Sequence, residues 1–289
     1  MPSFARFSIA LAVCVVHGLN GQVTDSPRGP APVGAQTTAI RVAAYNIKHG
    51  RGMDDRVDLE RIAEVLRSLD ADVITLQEVD DRTERTGGVD QVAVLAELLG
   101  YRGFHGPHRP YQGGFYGNAV LTRLPVLEQR THPIPAASGS ALAVHEVVVQ
   151  VPRPPGSEGV AQADVQPTFP LSVVSVHLAG TPEERMAQAD AVTATFVPGR
   201  PTILAGDFNG RPDDPVVRSL RGAWMTAPKE GDARTYPSPE PDREIDFVMW
   251  TMNGGLPGVD SVRVIEHVVI DEPMASDHRP LLAVLEFRR

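Results

Sequence analysis

Carboxylates, amides and imidazoles sit at the ends of apolar runs throughout this chain. Asn46 closes RVAAYN, Glu78 closes VITLQE, His177 closes SVVSVH, and Asp207 and Asn209 follow TILA in a glycine-flanked turn, GDFNG. Asp246 opens a further apolar run, and Asp277 and His278 precede PLLAVLEF. Any one of these marks the point where a strand leaves the core. Six strand ends with the same residue mixture point instead to one shared site. Carboxylate and amide oxygens suit hard cations, and imidazoles exchange protons near neutral pH.

The elements that must position these groups follow from periodicity. Strands are predicted at AIRVAAYNI, DVITLQEV, NAVLTR, VLEQR, ALAVHEVVVQV, LSVVSVHL, PTILAGDF, EIDFVMW, VDSVRVIE and PLLAVLEF. Leu59, Ile62, Ala63, Leu66 and Leu69 fall at helical spacing, as do Val92, Leu95, Ala96 and Leu99 before Gly100. Further helices are expected over Glu183 to Phe196, with Pro182 suited to the first turn, and over Asp214 to Leu220. Adjacent runs of strands with interspersed helices suit two packed sheets with helices outside. The stretch Pro152 to Thr168 reads as a surface loop rather than a domain linker, because the strands on both sides fit one sheet system. His105 and His108, in FHGPHRP, are expected in an exposed loop.

The chain has 289 residues, a net charge of −9 and one cysteine, Cys14. Arg6 and the short apolar run Ser8 to Val16 form a segment too short to span a bilayer and resemble a secretory signal. The expected organisation is a signal peptide over 1–21, a Pro-rich linker over 22–38 and one domain over 39–289, secreted or periplasmic and monomeric. No other segment is long and apolar enough to cross a membrane as a helix. With Cys14 in the leader, disulfides and cysteine-ligated zinc have no part. The acidity argues against a protein that coats nucleic acid, although a bound cation can reverse the field within one cleft. There is no G-x-S-x-G elbow and no G-x-x-x-x-G-K loop, so serine hydrolase and nucleotide triphosphatase classes lack support.

The stretches YNIKHG, LQEVD, YGNAVLTR, SVHL, GDFNGRP, TYPS with EIDFVMW, and SDHRPL resemble the endonuclease/exonuclease/phosphatase superfamily, the relatives of pancreatic deoxyribonuclease. They stand in the family's order from Tyr45 to Leu281, and GDFN and SDHRPL are the most specific. The resemblance implies a four-layer α/β sandwich, two packed, mostly antiparallel β-sheets flanked by helices, with the site at one edge. It also implies divalent-metal-dependent phosphoester hydrolysis by an activated water, with Mg2+ the expected cation and Mn2+ or Ca2+ as alternatives. Asn46, Glu78 and Asp277 are then the metal ligands.

By the same resemblance, Asp207 aligns or deprotonates the water, Asn209 donates to a phosphate oxygen, His278 holds or protonates the phosphate group, Asp246 fixes the tautomer of His278, and His177 is a second imidazole facing it. The general acid is a cation-bound water, His177 or Tyr116. Tyr116, Asn118 and Tyr236 are candidate substrate contacts. Lys48 stands where some relatives carry a second acid, and Asp80 either supports the site or faces solvent.

The substrate is a small phosphoester, a lipid head group or DNA. Arg82, Arg85, Arg109 and Arg123 form no basic stripe with interleaved aromatics, and neither Trp224 nor Trp250 lies at a hairpin tip. A phosphodiesterase or phosphatase therefore ranks before a DNA endonuclease. A noncatalytic binding protein on the same fold ranks last, because Glu78, Asp207, Asp246, Asp277 and His278 are all present.

Overall fold

Two sheets stack face to face in the computed structural model, which describes residues 37–153, 168–252 and 259–288. The expected leader and all but the last two residues of the expected linker lie outside the described residues. The first sheet has six strands in the order β10-β11-β1-β2-β4-β3. These are β1 (Thr37–Asn46), β2 (Val73–Asp81), β3 (Arg102–Tyr111), β4 (Gly114–Thr122), β10 (Ser261–Val269) and β11 (Leu281–Arg288). The second sheet has five, in the order β5-β6-β7-β8-β9. They are β5 (Val126–Ala137), β6 (Ser140–Pro152), β7 (Thr168–His177), β8 (Thr202–Asp207) and β9 (Asp246–Thr251). Both sheets are mixed: β1 runs parallel to β2 and β7 parallel to β8, while the remaining neighbours are antiparallel.

Four helices cover the outer faces: α1 (Leu59–Ser68), α2 (Gln91–Leu99), α3 (Pro182–Phe196) and α4 (Pro215–Arg221). Asp58 and Asp90 cap α1 and α2 by accepting from the third residue on, and Thr181 and Glu184 close a reciprocal capping box on α3. Alternation along the strands sorts side chains into layers. Ile40, Val42 and Ala44 of β1 meet Val147 of β6, Val173 of β7 and Val248 of β9 between the sheets. Ala43, Tyr45 and Ile74 pack outward with Ile62 and Leu66 of α1, and Val174 and Leu204 pack outward with Val192 of α3 and Leu220 of α4. The result is the four-layer sandwich.

Pro152 pairs with Thr168 across the β6–β7 ladder, and the expected surface loop between them lies almost entirely outside the described residues. Two expectations need correction. His105 and His108 lie in a strand, β3, and His108 is buried rather than in an exposed loop. Strand β5 runs on to Ala137, well beyond VLEQR. Both are the outermost strands of their sheets, where prolines such as Pro107, Pro110, Pro133 and Pro135 cost little because one edge lacks a partner.

Two buried histidines are structural and neutral. His267 Nδ1 meets the Ala227 carbonyl at 2.9 Å, and His145 Nδ1 meets Thr131 Oγ1 at 3.0 Å. The Nε2 of each is buried without a partner. Burial therefore pushes both imidazoles down to about 4. The unfolded chain takes up these protons near its ordinary value of about 6.5, so the folded state keeps its full advantage only above that pH. We predict that the melting temperature drops as pH falls from 6.5 toward 4, with a contribution on the order of 3 kcal/mol for each histidine. His267→Gln should flatten this slope in thermal melts, and an unchanged slope would contradict neutral burial.

Candidate active site

The inter-sheet layer turns from apolar to polar at one edge. Asp207 on β8 stands in register with His177 on one side and with Asp246 on the other. Each follows the alternation that points Ala205, Val173 and Val248 between the sheets. On the facing sheet Asn46 and Asn118 point the same way as Ala44 and Val120. Register alone thus delivers most of the constellation.

Glu78 needs a further device. Leu76 faces the helices, so strict alternation would send Glu78 there too. The β2–β4 register slips between Leu76 and Val79, and Glu78 adopts a left-handed φ of 59°. The extra residue hands the helix-facing position to Val79 and turns Glu78 to the other face. Asn46 Nδ2 donates to Glu78 Oε1 at 3.2 Å and to Asp207 Oδ2 at 3.2 Å, and so links the two sheets. Its orientation is fixed from behind, since Asn46 Oδ1 accepts the Lys48 amide at 3.1 Å. In this arrangement Asn46 presents a donor, not an oxygen, to the carboxylates.

Asp207, Asp246 and His278 form the centre. His278 Nδ1 lies 3.0 Å from Asp246 Oδ2, and His278 Nε2 lies 3.7 Å from Asp207 Oδ2. All three are nearly fully buried. Burial opposes charge on the imidazole, but Asp246 and Asp207 outweigh it and raise His278 to about 10. Burial and the nearby Asp246 also push the Asp207 carboxyl up, against the pull of His278. The cluster therefore keeps a proton that separated groups would release. Their ligand atoms lie within 4.8 Å of one another, close enough to hold a metal ion.

Glu78, His177, Asp207, Asn209, Asp277 and His278 line one cavity of about 340 Å³, with Tyr236 at its side. Tyr236 lies 4.9 Å from the His278 ring. Asn46 and Asp246 lie beneath this surface, buried and acting through their partners. Asn209 Nδ2 is engaged inside the protein, 2.8 Å from the Leu178 carbonyl and 3.1 Å from His177 Nε2. Tyr116 lies outside that lining, edge-on to His108 and under Arg109 at 4.9 Å. Burial and nearby Glu78 raise its phenol far above the ordinary range. Asn118 is not a surface contact: it is fully buried, and its amide donates to the Ser175 carbonyl at 3.1 Å, tying β4 to β7.

Sequence reasoning left Lys48 and Asp80 open and missed further contributors. Lys48 Nζ pairs with Asp277 Oδ2 at 2.8 Å, so the position of the missing acid carries a cation. Asp80 is fully buried under a two-pronged bond from Arg85, at 2.7 and 2.8 Å. Arg211, Asp214 and Arg243 join the cavity lining. The motif GDFNGRP contains Arg211, which is the one signal that pointed to it.

The glycines of that motif also have a physical cause. Gly206 has φ +145°, and a Cβ there would stand 2.1 Å from the Val176 carbonyl oxygen and 2.7 Å from Gln77 Nε2. Only glycine lets β8 approach β7 closely enough to seat Asp207 beside His177.

Comparison with known proteins agrees with the fold. The Endonuclease/Exonuclease/phosphatase family profile matches residues 43–278. An Escherichia coli (strain K12) protein, the uncharacterized YbhP, is 26% identical over 271 residues, covering 87% of this chain and 98% of YbhP. An endonuclease/exonuclease/phosphatase from Beutenbergia cavernae superposes with a TM-score of 0.64 at 24% identity, covering 86% of this chain and 72% of its own. The D. rerio TDP2 structure complexed with a single-strand DNA product gives a TM-score of 0.60 at 17% identity, covering 86% and 99%.

Gly206→Ala should cost about 2 kcal/mol or more, because its nearest neighbour is rigid main chain. A thermal melt at the wild-type midpoint would show that the close approach of β7 and β8 is not needed.

Proposed function

The chain belongs to the endonuclease/exonuclease/phosphatase family, and on that premise we propose that it hydrolyses a phosphoester bond with the aid of a divalent cation, magnesium first. Members of this family include phosphodiesterases, phosphatases and nucleases. The observation that carries the proposal is the buried Asp246–His278–Asp207 cluster opening onto a cavity that also holds Glu78 and Asp277.

The donor set fits a hard cation. Glu78 and Asp277 offer carboxylate oxygens to the cavity, as such a cation requires. The Asp207, Asp246 and His278 group is also compact enough, but a protonated imidazole has no lone pair to give. Glu78 and Asp277 are therefore the better ligands, with Asp277 shared with Lys48. A bound cation supplies Lewis acidity, polarising the phosphoryl oxygen and easing charge build-up on the leaving group.

The chain's own residues supply the rest. Asp207, with its raised affinity for a proton, takes one from the attacking water at its Oδ atoms. His278, held by Asp246 at Nδ1, presents Nε2–H toward the phosphate oxygens. Asn46 bridges Glu78 and Asp207 by donating to both. His177, fixed by Asn209, faces the same cavity.

A compact phosphoester ranks ahead of DNA as substrate, because the cavity is small and the chain carries a net charge of −9. The apolar segment near the N-terminus supports export as part of the same proposal.

The test is turnover of bis(p-nitrophenyl) phosphate with magnesium, manganese, calcium or chelator. Asp207→Asn should lower kcat by about 100-fold or more, and Glu78→Gln should raise the magnesium concentration needed for half-activation. Wild-type rates in Asp207→Asn, or turnover indifferent to chelator, would remove this mechanism.

A further inference from the structure

We propose that Arg211, Arg243 and Tyr236 form a subsite for a second phosphate group on the substrate, next to the scissile one. This rests on the reading of the cavity as a phosphoester hydrolase site.

The cavity lining carries charge of both signs. Glu78, Asp207, Asp214 and Asp277 repel any anion not neutralised by a cation. Arg211 and Arg243, both close enough to Asp242 to act on its carboxyl, form a cationic wall among them. Arg211 follows the GDFNG turn directly. Its main chain is locked to Asp214, with the Arg211 amide donating to Asp214 Oδ2 at 2.8 Å and the Asp214 amide donating back to the Arg211 carbonyl at 2.9 Å. Its guanidinium forms no ion pair among the described residues, and acts on the Asp242 carboxyl only from further off. That leaves a planar fork of donors whose geometry matches phosphate oxygens.

Arg243 extends the wall. It uses Nε and Nη2 on the exposed Asp242 and stacks 5.1 Å over the Tyr236 ring. Tyr236 in turn lies against His278, so imidazole, phenol and guanidinium form a continuous surface from the reacting centre outward. The surface is rigid. The Tyr236 and Arg243 main chains exchange hydrogen bonds at 3.2 and 3.1 Å. Ser238 ties the intervening loop to the His278 segment: its amide donates to the Asp277 carbonyl at 2.7 Å, and its hydroxyl to the Ser276 carbonyl at 2.6 Å. A wall fixed before binding loses little freedom when the ligand arrives.

An alkyl or aryl monophosphoester leaves this cationic wall without a partner. A substrate with a second phosphate a few bonds away occupies the reacting centre and this wall at once. A cavity of about 340 Å³ lies in the range of small-molecule sites and suits a bisphosphorylated metabolite. The next phosphate along a nucleic-acid strand offers the same chemistry, and the test separates the two sources.

The p-nitrophenyl ester of thymidine 5′-phosphate is to be assayed with and without a 3′-phosphate, in magnesium. The subsite predicts a kcat/KM at least about tenfold higher with the second phosphate. Arg211→Ala and Arg243→Ala should each shrink that ratio several-fold, mainly through KM, and Arg211→Lys should restore part of it. A ratio near one in the wild type, or a ratio unchanged in both variants, overturns the subsite. If neither ester is turned over with any divalent cation, the hydrolase reading fails on its own. Calorimetric binding of methylenediphosphonate against methylphosphonate then still decides: a preference lost in Arg211→Ala supports the subsite, and no preference ends it. Cleavage of a short oligonucleotide about as fast as the bisphosphate also supports it. A further tenfold gain with oligonucleotide length would overturn the small-molecule assignment and give the wall to nucleic acid.

Discussion

Asp207 and Asp246 face each other across the β8–β9 ladder, each only 1% exposed, so two carboxylates share one pocket shielded from water. In such a medium they cannot both stay charged without positive charge beside them. His278 provides it, bonded to Asp246 and close to Asp207, and is held protonated in consequence. The need runs in both directions. An imidazolium at 4% exposure would be expelled without the two acids, and the acids would be neutralised without the imidazolium. The loop carrying His278 is therefore bound to the strand edge by electrostatics as well as by the Ser276 hydroxyl, which donates to the Asn46 carbonyl at 2.7 Å.

The same balance organises the neighbouring charges. Lys48 on Asp277, which lines the cavity, and Arg85 on the buried Asp80 put a cation on an acid at two further points. Asp80, wholly buried, would be unsustainable alone, and its two bonds from Arg85 hold that guanidinium 4.7 Å over Tyr111. Glu78 has a different status. Its only hydrogen-bond partner among the described residues is the amide of Asn46, and it faces the cavity. A carboxylate without a fixed cation, next to acids that have one, is where an added divalent ion lowers the energy most.

Much of this was legible in the sequence because two rules do most of the positioning. Period-two alternation fixes the face of each strand residue, so VVSVH and TILAGD place His177 and Asp207 on the inter-sheet side without any contact information. Helical spacing, with Gly100 and Pro182 as end signals, placed α1 to α4 to within a residue or two. The failures arise where local preference yields to long-range structure. Prolines in β3 and β5 argue against a strand from composition, yet edge position removes the objection. The bulge at Glu78 leaves no local mark, because LQEV continues a strand pattern and only pairing with β4 shows the slip. Asn118 is a substrate candidate by resemblance, but alternation with Val120 assigns it to the interior.

The bulge, the left-handed Asn209 and the close approach at Gly206 have one feature in common. Each spends backbone regularity at the polar edge of the sandwich and nowhere near its apolar middle. Non-glycine residues at positive φ cost of order 1 kcal/mol or more each and persist only when their surroundings enforce them. Here the enforcement comes from the layers on both sides. Val79 fills the helix-facing core once the bulge has turned Glu78 inward, and Phe208 anchors β8 while Asn209 turns back toward His177. The apolar core thus does more than stabilise the sheets. By taking Val79 and Phe208 it fixes where the intervening polar residues must point, so the geometry of the site is set before any ligand enters.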